Sequence, residues 1–282
     1  MAQIYDSMDS AKQQADPKAA LDAAVKMSLG QIKHKFIVMS GKGGVGKSST
    51  AVNLSMALAS LGAKVGLVDV DLHGPDVPRM LGLSGMPGMN AENKLIPMPY
   101  SENLSAVSVE SLTEGKDDAI IWRGPVKYSV IQQFLGQVAW GPLDFLIIDA
   151  PPGTGDEPLT IAQTIREAQA VIVTTPQKVS LADVRKSINF CKTVKMEIFG
   201  LIENMSGLVC PHCNCDVDLF GTGGGEETAS QMGVSFLGRI PFDPEMVSCT
   251  DEGAAYLEKY PDSPVSTAYR KIAEKLKASV PA

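Results

Sequence analysis

The sequence predicts an α/β protein built on a doubly wound, mostly parallel sheet, and three observations predict it. Five short apolar runs, "FIVM", "VGLVDV", "FLIID", "AVIVTT" and "IFGLIEN", each have the length of a strand buried on both faces. Segments with apolar residues at helical spacing separate them, the alternation that gives a parallel sheet covered on both sides. A glycine-rich turn follows the first run and opens a helix, at the sheet end where such folds bind ligands.

The 282 residues suffice for one large domain or at most two. With 25 basic against 32 acidic residues the net charge is −7, which argues against sequence-independent binding of nucleic acid. No apolar run reaches the roughly 18 residues of a membrane span, and the first residues lack the charged-then-apolar order of a signal peptide. A cytoplasmic protein with no membrane partner is therefore expected. Five cysteines, an odd count with three tightly clustered, fit metal or redox chemistry in a reducing compartment better than a disulfide framework.

Residues 1–33 are polar and alanine-rich and read as a flexible, loosely attached arm with a helix from Pro17 to Met27; residues 34–282 read as one nucleotide-binding domain. The strand "KFIVMS" leads into "GKGGVGKS", Gly41 to Ser48, which satisfies G-x-x-x-x-G-K-[ST] and is followed by the helical "SSTAVNLSMALASLG". Such a P-loop turns backbone N–H groups onto phosphates, with the positive end of the helix behind them. Gly41, Lys42, Gly43, Gly44, Val45, Gly46, Lys47, Ser48 and Ser49 are thus expected to hold a nucleotide. Lys47 neutralises its β- and γ-phosphates and Ser48 ligates Mg²⁺.

"VGLVDVDLHGPD" carries Asp69 and Asp71 to the carboxyl end of the second strand, on the same side of the chain if it stays extended; His73 reads as a solvated loop residue. "VKYSVIQQFLGQV" repeats apolar residues at helical spacing. "FLIID" then delivers Asp149 to a strand end, as a Walker B carboxylate must be delivered to hold a magnesium-bound water. "APPGTGD" leaves that strand stiffly at Pro151 and Pro152 and can hinge at Gly153 and Gly155. Ser180 with Asp183 reads as a capping box that starts a helix with Leu181, Val184, Ile188, Cys191 and Val194 on one face. In the tail, Val265, Tyr269, Ile272 and Leu276 share a face that either packs on the sheet or lies on a membrane.

"VCPHCNCD" places Cys210, Cys213 and Cys215 within six residues. Three readings stand: a thiol oxidoreductase pair, a zinc knuckle completed by His212, or half of a Cys₄ site for a [4Fe-4S] cluster, completed across a two-fold dimer.

Lys42, directly after the first glycine, marks the deviant Walker A loop and resembles that of the dimerising ATPases related to the nitrogenase iron protein and the septum-site and partitioning ATPases. The ordered set "GKGGVGKSS", "DVDLHGPDVPRMLG", "WRGP", "DAPPGTGD", "ENMS", "CPHC" and "FGTGGG", from the P-loop to near the C-terminus, closely resembles the Mrp/Nbp35 family of iron-sulfur cluster carrier ATPases. That resemblance implies a homodimer that binds a labile [4Fe-4S] cluster through Cys210 and Cys213, transfers it to apoproteins, and hydrolyses ATP weakly. It further implies that Lys42 reaches the partner's nucleotide, Asp71 orients the attacking water, Asp69 lies near Mg²⁺, Asn204 reads adenine and Pro241 walls its pocket. Two departures stand out. The arm lacks the N-terminal cysteine cluster of eukaryotic and some archaeal members, and it is too short for the small extra domain of many bacterial ones. The rival is a spatial-organiser ATPase of the septum-site type with a structural zinc knuckle.

Overall fold

The computed structural model describes residues 17–72, 74–112, 124–210, 212, 213 and 215–280. His73 and the Trp122–Arg123 half of "WRGP" lie outside the described residues. In chain order the elements are α1 (Pro17–Leu29), β1 (Ile32–Ser40), α2 (Lys47–Ser60), β2 (Val65–Asp69), α3 (Val77–Met80), β3 (Met98–Pro99) and β4 (Leu104–Ser108). There follow α4 (Gly124–Gln137), β5 (Leu143–Asp149), α5 (Asp156–Thr164), β6 (Gln169–Thr174), α6 (Lys178–Thr193), β7 (Ile198–Glu203), β8 (Leu208–Val209) and β9 (Asp216–Val217). The chain ends with α7 (Gly224–Met232), β10 (Phe236–Arg239), α8 (Pro244–Glu252), α9 (Tyr256–Lys259) and α10 (Pro264–Ala278).

One sheet in the order β10-β7-β6-β1-β5-β2-β4-β3 carries the fold, and only the β3–β4 pair is antiparallel. The five apolar runs of the sequence are its five central strands. Period-two alternation divides their side chains between two cores. Phe36, Val38, Leu67, Ile147 and Val173 face α2, α8 and α10, whereas Ile37, Met39, Val68, Ile148 and Ile172 face α1, α4, α5 and α6. Helices therefore cover both faces, and β1 lies centrally between β5 and β6. The carboxyl ends of β1, β2, β5 and β7 open on the same edge, the edge where a doubly wound sheet binds ligands.

Three expectations need correction. Helix α1 packs on α4 and buries Val25 and Leu29 in the second core, and β1 begins at Ile32, so residues 17–33 belong to the packed domain. Residues 1–16 lie outside the described residues. Helix α6 begins at Lys178, with Gln177 at its N-cap. Ser180 sits inside the first turn, where its hydroxyl shares a 2.6 Å hydrogen bond with Thr175 rather than capping a backbone N–H. The chain also turns after Asp69, whose Oδ1 accepts the Asp71 N–H, so Asp69 and Asp71 are not successive same-side residues of a strand.

The tail helix has one fate in the fold: Val265, Tyr269, Ile272 and Leu276 are buried against α2 and β10. That face is occupied by the domain's own core. No helix among the described residues is long and apolar enough to cross a membrane.

Candidate nucleotide site and cysteine hairpin

Strand β1 ends at Ser40, and the loop Gly41–Gly46 carries the chain into α2. Gly46, the N-cap of α2, has a φ of 79°, a left-handed conformation that costs a residue with a Cβ about 1–2 kcal/mol. A Cβ there would also lie 2.2 Å from the Asn204 Nδ2. The glycine is required both for the turn and for the approach of β7 to the loop.

Lys47 is buried, and its Nζ lies 2.5 Å from Asp149 Oδ1 and 3.3 Å from the Ser48 hydroxyl. Asp149 is fully buried at the end of β5, in register with Asp69 at the end of β2. Burial raises the Asp149 carboxyl above its ordinary range, with the Lys47 ammonium and the Ser48 hydroxyl opposing the shift. Asp69 is raised well above its ordinary value by burial and by the neighbouring Asp149 charge. The two carboxylates differ in their partners. Asp69 accepts from the N–H groups of Asp71 and Val77 and from the Ser108 hydroxyl, so it organises the loop after β2. Asp149 Oδ2 is buried with no hydrogen-bond partner among the described residues. An orphaned carboxylate oxygen beside a serine hydroxyl is a donor set that suits a hard cation such as Mg²⁺. Asp71, also buried, accepts from the Gly74 N–H, and the Gly153 N–H ties the loop after β5 to the Ser40 carbonyl at 2.9 Å.

Beside Gly46 and Ser49 opens a cavity of about 170 Å³ lined by Asn204, Met205, Pro241, Phe242, Asp243 and Met246, among others. Asn204, which directly follows β7, donates from Nδ2 to the Val45 carbonyl at 2.9 Å. The structure thus brings Gly46 and Ser49 of the P-loop segment, Asn204 and Pro241 to one cavity. The wall from Met246 on α8 and Asp243 at its N-cap was not foreseen, because it rests on the packing of α8 against α3 and α9. Lys42 lies half-buried in the same loop, where its carbonyl accepts from the Ser40 hydroxyl.

The cysteines lie on a second structure, the two-residue-strand hairpin β8–β9, closed by the Cys210 N–H on the Cys215 carbonyl at 2.9 Å. Cys210 is half-buried, and Cys213 and Cys215 are exposed; all three are free thiols. The N–H groups of His212 and Cys213, together with the Cys213 thiol, aim at Cys210 and hold its pKa below the usual thiol value. Such an arrangement favours a thiolate, the form that binds metal. Among the described residues no three His, Cys, Asp or Glu side chains converge as a metal site. Val209, Val217 and Leu219 leave the hairpin's flanks apolar and exposed.

Glu203, the last residue of β7, was not singled out in the sequence. It is fully buried and accepts from the Ser206 hydroxyl and from the N–H groups of Gly223 and Gly225. The signal was a carboxylate ending a buried strand directly before Asn204.

A family model described as "ParA: NUBPL iron-transfer P-loop NTPase" matches residues 31–277. The cytosolic Fe-S cluster assembly factor NUBP2 of Bos taurus is 44% identical over 265 residues, covering 92% of this chain and 98% of the relative. The iron-sulfur cluster carrier protein of Saccharolobus solfataricus is 48% identical over 259 residues, covering 91% and 87%. Among solved structures, a nucleotide-binding protein from Archaeoglobus fulgidus in complex with ADP is 36% identical with a TM-score of 0.74, covering 87% of this chain and 95% of that one. The cell division ATPase MinD of Pyrococcus furiosus is 25% identical with a TM-score of 0.66, covering 88% and 100%.

Proposed function

Because this chain belongs to the NUBPL family of iron-transfer P-loop NTPases, we propose that it is an ATP-dependent carrier of iron-sulfur clusters. The cargo is a labile [4Fe-4S] cluster bridged between two copies and delivered to apoproteins. One observation carries the reading: an exposed hairpin carries the free thiols of Cys210 and Cys213, which we read as half of a Cys₄ set, in a domain whose P-loop sequence is complete. A homodimer supplies the other half by symmetry. Relatives at this identity named as iron-sulfur carriers and cytosolic assembly factors support the cargo and a cytoplasmic location.

In this reading ATP lies along the loop Gly41–Ser49, with its base in the cavity against Asn204 and Pro241. Lys47, paired with Asp149 beside the loop, is already desolvated, and it turns from that carboxylate to the γ-phosphate when ATP and Mg²⁺ arrive. Ser48 and Asp149 would hold Mg²⁺, which supplies charge neutralisation between the β- and γ-phosphates. Asp69 acts one step back, fixing the loop that carries Asp71, and Asp71 orients the attacking water. Lys42 completes the partner's site, a cation supplied in trans where charge develops. Hydrolysis is weak and coupled to gain or loss of the cluster at the hairpin. The tail face that a membrane-bound organiser would need is packed inside the domain, which favours the carrier reading over its rival.

The test is cluster delivery. The full chain, loaded anaerobically, is mixed with an apoenzyme whose activity requires a [4Fe-4S] cluster. Activity should return faster than with free iron and sulfide, and Cys210→Ala or Cys213→Ala should remove that advantage. A loaded wild-type chain that restores no activity would exclude the carrier function.

A further inference from the structure

The geometry points to Glu203 as the positioning residue that ties the cysteine hairpin to the nucleotide loop, an inference that rests on reading the hairpin as the cargo site. Both ends of the segment that carries the hairpin are fastened to this one carboxylate. At its start the Ser206 hydroxyl donates to Oε1 at 2.5 Å. At its end the Gly223 N–H donates to Oε1 at 2.8 Å and the Gly225 N–H donates to Oε2. The Arg239 Nε lies 3.5 Å away on β10. A Cβ on Gly225 would sit 2.8 Å from Oε2, so the turn approaches this closely only because that residue is glycine.

The next residue binds the other site. Asn204 donates to the Val45 carbonyl in the P-loop and packs on Gly46. Within four residues, 203 to 206, the chain therefore grips the phosphate loop with one side chain and both stalks of the hairpin with another. A second pair of contacts joins the hairpin base to the wall of the nucleoside cavity. The Phe242 N–H donates to the Gly207 carbonyl at 2.8 Å, and the rings of Phe220 and Phe242 meet edge to face at 6.0 Å. A shift of β7 or of the Pro241 loop on nucleotide binding must move the anchor of the hairpin. The carboxylate, fully buried with donors from both stalks, moves them together because leaving any of these partners unpaired in the interior carries a desolvation cost.

The function that follows is the setting of hairpin geometry by nucleotide state. Glu203 touches neither nucleotide nor cargo; it acts through Asn204 on one side and through Ser206 and Gly223 on the other.

Amide hydrogen exchange on the cluster-free full chain tests this, comparing Mg-ADP with a non-hydrolysable ATP analogue and Mg²⁺. The reading is the ratio of exchange rates for residues 207–222 between the two states. In wild type the ratio should be about fivefold or more, the lower range of site-to-site coupling. In Glu203→Gln and Ser206→Ala it should fall to about one, while P-loop protection by nucleotide persists. A merely structural role would raise exchange in both states and leave their ratio intact, and that result overturns the proposal. If Glu203→Gln does not fold, Ser206→Ala decides alone. A ratio of about one in wild type would also overturn it. Iron and sulfide uptake by the same preparations, measured separately, decides the cargo reading on its own.

Discussion

Lys47 and Asp149 meet where water is excluded, and in the proposed function this buried cation is the one that meets the phosphates. Removing the lysine leaves a buried carboxylate uncompensated. Lys47→Ala should therefore abolish nucleotide binding and lower stability by about 3 kcal/mol, read by fluorescent-nucleotide titration and urea unfolding. An unchanged affinity would remove Lys47 from the site. The thiols divide in the same way by environment. Cys191, fully buried, is pushed up to about 12, whereas backbone N–H groups draw Cys210 below the usual thiol value. Because only the thiolate is alkylated, Cys210 in the cluster-free chain should reach half-maximal reaction with iodoacetamide below the ordinary midpoint of about 8.5, and Cys191 should not react. Peptide mass spectrometry across pH would show it. A Cys210 midpoint above that of an unstructured cysteine would contradict the turn geometry.

At the scale of elements, the strands and the P-loop were legible because each rests on a local pattern. "KFIVMS", "FLIID" and "AVIVTT" are predominantly apolar and buried on both faces, and a strand, glycine loop and helix in succession leave one fold for "GKGGVGKS". Strand β4, "LSAVS", escaped because two of its five residues are serines, one of which bonds to Asp69 rather than to solvent. Strand β10 is four residues interrupted by Gly238, too short for any period to show. The hairpin β8–β9 has no apolar alternation at all and is legible only through its cysteines. Helix α10 was visible as an amphipathic helix, but its choice between sheet and membrane depended on α2, which no local pattern reports. Its burial makes a prediction: Ile272→Ala should cost about 3 kcal/mol in urea unfolding, as for a core truncation. A cost under about 0.5 kcal/mol would mean that this face is exposed in solution.

For the whole molecule, the fold places a P-loop and a hairpin with three free thiols on the same chain, joined through the residues that follow β7. In the proposed function a second copy related by a two-fold axis would bring a second Cys210 and Cys213, and four thiolates are the set that a [4Fe-4S] cluster takes. Cys215 lies across the hairpin from Cys210, with its carbonyl engaged and its thiol exposed.

The most direct measurement of the central claim is iron, sulfide and zinc per chain after anaerobic reconstitution, with the assembly's mass, for wild type and for Cys210→Ala, Cys213→Ala and Cys215→Ala. A shared cluster predicts about four irons and four sulfides per two chains, lost without Cys210 or Cys213 and kept without Cys215. Zinc held tightly by a single chain, with no cluster taken up, would contradict it.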